Sequence, residues 1–252
     1  MLWFRIIIFL VMTSLFYQGR GWAAPWIQSA TDSVDILHYG VHLDVTNIQG
    51  KIITGHTRIL LTAREPAVSG IDLELLILNV DSVKINLADL PFQYNDTTIS
   101  VTFPAPLTPA DTLEVSVFYH GTPKVESGGW GGFHFSGSNL AYNLGIALVD
   151  VPHNYGRAWF PCIDNFTERA SFDFYITVND PLIAVCNGSL TGVYPQGSNT
   201  SMFHWKLEIP VPAYLASVAV SSYSCVQSTY QGMAGNIPVS LYVRPADTAK
   251  AK

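Results

Sequence analysis

Apolar and polar residues alternate over many short stretches of this chain, so that every second position is hydrophobic. A period of two is typical of β-strands that bury one face. Residues 92–103 predict a hairpin that turns at Asn95 and Asp96. No segment between residues 26 and 244 has helical periodicity, so the pattern predicts an all-β fold, a sandwich or a barrel. The other predicted strands lie in residues 33–62, 71–77, 113–119 and 172–178, with shorter runs near 192, 203–207, 216–222 and 239–243.

The first alternating run assigns its residues to two faces of a strand. We expect His38 and His42 on the solvent side, about 13 Å apart by strand rise, which is too far for one zinc ion. The predicted buried side carries Leu37, Tyr39, Val41, Leu43 and Val45.

Residues 126–151 differ from the rest of the chain, because several glycines stand there among aromatic side chains. This composition predicts a long loop or an irregular hairpin rather than a central strand. Long loops on a β-scaffold often line binding sites. The alternative is that the glycines only permit tight turns.

The two ends of the chain are expected to lie outside the domain. Arg5, an apolar run over residues 6–16, and the small residues Gly21 and Ala23 predict a secretory signal peptide, residues 1–23. That run is shorter than the roughly 20 residues that span a bilayer, which disfavours an uncleaved membrane anchor. We therefore expect an extracytoplasmic protein, secreted or periplasmic, with no membrane-spanning segment after cleavage. Residues 24–244 form the predicted domain, and 245–252 are the start of a truncated helix or a linker.

Composition narrows the classes of protein. The 252 residues are 48% apolar and only 13% charged, with a formal net charge of −6 at pH 7. This balance excludes a disordered polymer, and the missing basic surface argues against nucleic acid as a partner. Export permits a disulfide, but an odd number of cysteines leaves at least one thiol free. The sequence does not decide the pairing among Cys162, Cys186 and Cys225.

Familiar catalytic motifs are missing from this sequence. None of the histidines belongs to a His-Glu-x-x-His motif, and no Gly-x-Ser-x-Gly elbow occurs. His153, Cys162 and Asp164 are a weak metal candidate, because their spacing matches no known motif. Asp150, Asp164 and Glu168 leave open a glycosidase-type carboxylate pair, although solvated or ion-paired carboxylates are commoner.

The densest cluster of distinctive residues runs from position 157 to position 165, Arg-Ala-Trp-Phe-Pro-Cys-Ile-Asp-Asn. A segment that mixes charges with large apolar side chains needs partners for its buried charges. Arg157 is expected to clamp Asp164 or a backbone carbonyl. A structural ion pair that pins a loop is the favoured interpretation, and substrate contact is the alternative.

At this cluster the chain resembles the N-terminal β-domain of the M1 family of zinc aminopeptidases, the aminopeptidase N group. The resemblance runs from about Val34 to Val243, with its motifs in the family's order. They are His38-Tyr39, Leu43-Asp44, Tyr119-x-Gly121, Gly132-Phe133, Arg157-x-x-Phe160-Pro161-Cys162-x-Asp164, Asn187-Gly188, Trp205 and Pro212-x-Tyr214-Leu215.

The resemblance implies a saddle-shaped, mostly antiparallel β-domain that packs on a catalytic domain of the same polypeptide. In the full enzyme, zinc would polarise a peptide carbonyl and activate water, and this domain would wall one side of the peptide-binding cleft. The chain itself is expected to hold no catalytic residue, zinc or other cofactor. Arg157, Phe160, Pro161, Cys162 and Asp164 are therefore assigned as a structural motif.

The departures from the family pattern are also informative. The chain lacks Gly-x-Met-Glu-Asn and His-Glu-x-x-His, so it should be inactive alone. Family members often have Gln or Glu five residues before the motif arginine, where this chain has Pro152, and often Pro where it has Phe166. We expect the N-terminal part of an exported aminopeptidase. The alternative is a stand-alone secreted β-sandwich that binds a peptide or protein.

Overall fold

A computed structural model describes residues 33–197 and 199–251. The predicted signal peptide lies outside the described residues. Within them the regular elements are β-strands and a few short 3₁₀ turns, which confirms the predicted all-β, mostly antiparallel fold. The described strands form four sheets of eight, four, three and two strands.

The eight-stranded sheet is the framework of the domain. Its strands lie in the order β13, β14, β11, β1, β2, β8, β4, β5. β1 and β11 are parallel, and the other neighbours in this sheet are antiparallel. The strands are β1 (Val34–Asp44), β2 (Ile53–Ala63), β4 (Asn79–Ile85), β5 (Ala88–Leu90), β8 (Thr112–Gly121), β11 (Ala170–Asn179), β13 (Ser189–Pro195) and β14 (Thr200–Val211).

Three smaller sheets complete the described structure. One contains β12 (Ile183–Cys186), β15 (Val218–Ser221), β10 (Leu140–Leu144) and β9 (Gly132–Ser136). Another contains β3 (Val68–Glu74), β7 (Thr98–Leu107) and β6 (Phe92–Tyr94). The last is a hairpin of β16 (Ser224–Gly232) and β17 (Gly235–Val243).

A single large apolar cluster joins the inner face of the eight-stranded sheet to the four- and three-stranded sheets. Alternation of side chains along each strand explains it, because every second residue points inward. On β11 the inward residues include Phe172 and Phe174, whose rings stack at 5.4 Å. Ile71 and Phe133 bring the smaller sheets into the same cluster.

The hairpin over residues 92–103 is confirmed by β6 and β7, and residues 126–151 contain the irregular hairpin of β9 and β10. Two predicted strand positions are wrong. Leu37 is 38% exposed because the register shifts between Ile36 and His38, which places it outside the apolar face. Ile77 is exposed at φ 53°, because the strand has already ended at Glu74.

At the C-terminal end, Pro245–Asp247 form a 3₁₀ turn, and the Asp247 carboxylate forms ion pairs with Arg244 and Lys250. The three cysteines are all free thiols; Cys162 and Cys186 are buried and Cys225 is exposed. None of the helices in the described part of the chain is long and apolar enough to span a membrane.

Candidate functional site

A 3₁₀ turn, Gly156–Ala158, presents Arg157 to the site. The turn packs so closely on the backbone of Ala213 that a Cβ on Gly156 would lie 2.9 Å from its carbonyl atoms. Real Cβ contacts of this length require something to move, so glycine is needed here. The turn thereby holds Arg157 in one place.

The aromatic residues after the turn anchor the segment in the core. Trp159 and Phe160 are fully buried, and the Phe160 ring meets the Tyr39 ring edge-on at 5.7 Å. The Tyr39 hydroxyl accepts a hydrogen bond of 3.0 Å from the backbone N–H of Ile163. Strand β1 therefore holds the motif segment in place through Tyr39. These contacts give a physical reason why the Tyr39 and Phe160 motifs occur together in one chain.

Glu74, at the end of β3, is the ionic partner of the motif. Arg157 Nη1 donates to Glu74 Oε1 at 3.1 Å, and the backbone N–H of Asp164 donates to Glu74 Oε2 at 2.8 Å. Backbone hydrogen bonds in both directions between Glu74 and Cys162 fix the same junction. The carbonyl partner expected for Arg157 is present as Pro152 O, at 3.1 Å from Nη2.

The expected side-chain clamp of Arg157 on Asp164 is absent from the described contacts, and Glu74 takes its place. Asp164 Oδ2 instead accepts the backbone N–H of Arg157 at 3.0 Å, while Oδ1 is buried without a partner. Burial raises the pKa of Asp164 to about 7, against the opposing effect of that hydrogen bond. Asp164 is thus a buried group behind the site.

A cavity of about 550 Å³ opens in front of Arg157. Asp150 lies on its wall, and its carboxylate accepts the hydroxyls of Tyr155 at 2.7 Å and Ser127 at 2.8 Å. These hydrogen bonds lower the pKa of Asp150, and Lys124 lies 3.6 Å away. The wall therefore offers two carboxylates and two cations. The lining residues are Glu74, Leu76, Thr97, Thr98, Lys124, Asp150, Val151, Pro152, Tyr155 and Arg157.

The loop that carries Asp150 is shaped by the buried carboxylate of Glu126. This carboxylate accepts the backbone N–H groups of Gly131, Leu148, Val149 and Asp150. Burial favours the neutral acid, but these hydrogen bonds outweigh it and lower the pKa of Glu126 to about 2. The charged Glu126 carboxylate thus accepts backbone hydrogen bonds from this loop that a neighbouring strand would otherwise accept.

Large apolar side chains around this loop face solvent, and we call them the apolar rim. Val151 is 80% exposed, Leu148 63% and Val149 60%. These apolar side chains are concentrated on and beside one loop. The members of the apolar rim are Val125, Trp130, Ile146, Leu148, Val149 and Val151.

The structure separates the chemical candidates drawn from the sequence. His153 Nδ1 lies 3.1 Å from Ala147 O, whereas Cys162 is in the core, where burial raises the pKa of its thiol. In the described residues no three His, Cys, Asp or Glu side chains are placed to hold a metal. Glu168 accepts the Ile36 N–H and binds Arg64, a structural contact.

Two acidic residues of the site escaped the sequence analysis. Glu74 comes 83 residues before its partner Arg157, and no local pattern signals that pairing. Glu126 is the first residue of the glycine-rich segment, and it binds backbone N–H groups of that segment. Its place at the start of the segment is the one signal of this role that the sequence offers.

Comparison with known proteins gives a consistent picture. The family model of the Peptidase M1 N-terminal domain matches residues 36–215. The fold is similar to that of an M1 zinc metallopeptidase from Deinococcus radiodurans, with a TM-score of 0.72 and 24% identity over 86% of this chain and 52% of that one. Aminopeptidase A of Legionella pneumophila gives a TM-score of 0.70 at 15% identity, over 86% of this chain and 25% of that one.

Curated relatives include both peptidases and a transcription factor subunit. Leucine aminopeptidase 2 of Vanderwaltozyma polyspora is 22% identical over 83% of this chain and 32% of its own length. Transcription initiation factor TFIID subunit 2 of Danio rerio is 24% identical over 77% of this chain and 20% of its own length. The chain therefore spans a third or less of these two relatives.

Proposed function

The chain belongs to the Peptidase M1 N-terminal domain family, as the motif resemblance predicted, and from this premise we propose that it is the non-catalytic N-terminal domain of an exported M1-type zinc aminopeptidase. In the full enzyme it walls the cleft that binds the amino end of a peptide. Zinc and the residues that cleave the peptide bond would come from a catalytic domain. The single observation that carries the proposal is the match of residues 36–215 to the family model, and the apolar rim beside the cavity supports the partner domain.

The apolar rim supports a partner domain at this place. Exposed Leu148, Val149 and Val151 follow one another closely around Asp150, on a loop whose backbone is held by Glu126. A well-held apolar surface of this kind suits burial against another domain more than contact with water. The cavity would then be closed on its open side by the catalytic domain.

The charges of the cavity suit the end of a peptide. A peptide's amino terminus is a cation with hydrogen-bond donors, and its first carbonyl is an acceptor. Asp150 offers an acceptor and Lys124 a donor on the same wall. We expect Asp150→Asn in an active full-length polypeptide to raise KM with little change in kcat, because only uniform binding is lost.

A matched control for that variant is Asp89→Asn, which changes an exposed carboxylate at the far edge of the eight-stranded sheet. It should leave KM unchanged. If Asp150→Asn left KM as unchanged as Asp89→Asn does, Asp150 would not contact the substrate.

Activity of the purified chain tests the non-catalytic assignment. We expect the 252-residue chain to hydrolyse no aminoacyl p-nitroanilide with or without added zinc. A polypeptide that also contains a His-Glu-x-x-His domain should hydrolyse them and lose activity on chelation. Zinc-dependent turnover by the 252-residue chain alone would refute the assignment.

Export is tested separately, by the amino-terminal sequence of the protein recovered outside the cytoplasm. Cleavage of residues 1–23 predicts that this sequence begins at Ala24. Retention of Met1 in a cytoplasmic protein would refute export without affecting the family assignment.

A second candidate function is a stand-alone module that binds a peptide or protein. The match to a subunit named for transcription initiation favours it, because that relative is not named as a peptidase. This candidate predicts a soluble, cooperatively unfolding monomer. The first candidate predicts self-association through the apolar rim, which Leu148→Ser with Val149→Ser should reduce in sedimentation experiments.

A further inference from the structure

Five rings form a continuous stack across the outer face of the eight-stranded sheet, and we call it the ring ladder. The rings occupy directly paired positions on β8, β2, β1, β11 and β14. Successive ring centroids are 5.0, 4.2, 4.2 and 4.2 Å apart, with interplanar angles of 20°, 10°, 7° and 14°. In order, the members are Phe118, His56, His42, Tyr175 and His204.

The ring ladder bridges the centre of the sheet, including the parallel pair β1 and β11. Its members lie on the outward face, yet each is only partly accessible to solvent, because the neighbouring rings cover one another. Cross-strand ring pairs are a main source of attraction between strands. Three of the five rings are imidazoles, so most of this attraction depends on rings that can gain a proton.

The surroundings of the ring ladder oppose that protonation. Arg58, on β2, lies over Gly40 with its Nε 3.3 Å from the position of a glycine Cβ, and this Nε is buried without a hydrogen-bond partner. Burial, then His56 and Arg58, lower the pKa of His42 to about 3. Burial and Arg58 also lower the pKa of His56.

The carboxylate that bonds to a ring of the stack, Asp173, lies at the end of the stack rather than at its centre. Asp173 lies 2.6 Å from His204 Nε2 and 3.2 Å from His38 Nε2. Its attraction for a proton on His42 is smaller than the opposing effects of burial, His56, Arg58 and His204. The charged and titratable groups facing the stack are Glu114, Arg58, His38, Asp173, Lys206 and Tyr194, and Lys84 lies 5.8 Å above the Phe118 ring.

Strand β1 connects the ring ladder to the candidate site. His42 projects outward from β1, and Tyr39 projects inward, where its hydroxyl accepts the Ile163 N–H of the motif segment. A shift of β1 would therefore also move the segment that presents Arg157.

We propose that the ring ladder is an acid-sensitive device, which holds the centre of the sheet together near neutral pH and loosens the domain when the solution is acidified. Below the ordinary pKa of histidine, about 6.5, the unfolded chain takes up protons that the folded stack excludes. The stabilisation that the ring ladder provides is fully present above this pH. It is lost as the pH falls towards the lowered pKa values of His42 and His56 in the folded state.

Linkage gives the size of the effect. One histidine whose protonation is fully excluded lowers the folding equilibrium constant about thirtyfold between pH 8 and pH 5. With a pKa of about 3, His42 stays neutral at pH 5 in the folded protein, so this ring alone contributes about thirtyfold, and the lowered pKa of His56 adds to that.

The test uses His42→Phe with His56→Phe, since Phe118 shows that a phenyl ring fits this row. Urea unfolding of the 252-residue chain is measured at pH 8 and pH 5. From pH 8 to pH 5 the folding equilibrium constant of the wild type should fall about thirtyfold or more further than that of the double variant. His134→Phe is the matched control, because His134 stacks on Tyr142 in another sheet, and it should keep the wild-type pH dependence.

Equal pH dependence of the wild type and the double variant would overturn the proposal. If the double variant does not fold, NMR titration of the wild-type imidazoles decides instead. The proposal then requires the His42 ring to stay neutral down to pH 5, and titration of His42 near pH 6.5 would overturn it.

Discussion

Replacing Glu74 by alanine removes the carboxylate that binds both the Arg157 guanidinium and the backbone N–H of Asp164. The Arg157 side chain is only 8% exposed, so its charge would remain buried without a counter-ion. Breaking a buried ion pair in this way costs about 3–5 kcal/mol. Because the Glu74 side chain is 32% exposed and water can enter there, we expect the lower end, about 3 kcal/mol.

Urea unfolding followed by tryptophan fluorescence measures this loss. With a slope of about 2 kcal/mol per molar urea, the midpoint should fall by about 1.5 M. The midpoint of Glu74→Gln should fall less than that of Glu74→Ala, because the glutamine side-chain oxygen still accepts one of the two hydrogen bonds.

The matched control is Asp89→Ala, which breaks the Lys84–Asp89 pair of 2.8 Å. Asp89 is 73% exposed, and such surface pairs contribute at most about 1 kcal/mol. If Glu74→Ala shifted the midpoint no more than Asp89→Ala, the Glu74–Arg157 contact would not hold the site together.

Three further predictions concern packing, thiols and pH. Gly145→Ala should cost about 2 kcal/mol or more in urea unfolding, because its Cβ would overlap the backbone carbonyl oxygen of Tyr214; unchanged stability would contradict this packing. In the native protein a thiol reagent should modify Cys225 quickly and the buried Cys162 and Cys186 only on unfolding, and mass spectrometry counts the labels. Because burial raises the pKa of Asp164 to about 7, its contribution to stability is lost as the pH rises from about 4 through 7; Asp164→Asn should lack this loss between pH 5 and pH 8, and an unchanged slope would contradict it.

Local alternation predicted much of the fold because each strand buries one face, which can be read from neighbouring residues. The pattern of Phe172 to Val178 became β11, and Asn95 and Asp96 lie at the turn between β6 and β7. The bulge at Leu37 could not be predicted, since it depends on the register with β2 rather than on β1 alone.

The candidate site was harder to predict because its contacts are non-local. The motif identified Arg157 and the need for a partner, but Glu74 was found only once β3 was placed beside the motif segment. Similarly, His38 and His42 could be assigned to one face, whereas the stack with His56 and Tyr175 arises from strand order. Pairing between distant strands has no signature within a single strand.

We have proposed that this domain works with a zinc-bearing catalytic domain of the same polypeptide. The most direct measurement is the nucleotide sequence of the gene beyond codon 252. We expect an open frame that continues to Gly-x-Met-Glu-Asn and His-Glu-x-x-His. A stop codon directly after Lys252, with neither motif in a neighbouring frame, would contradict it.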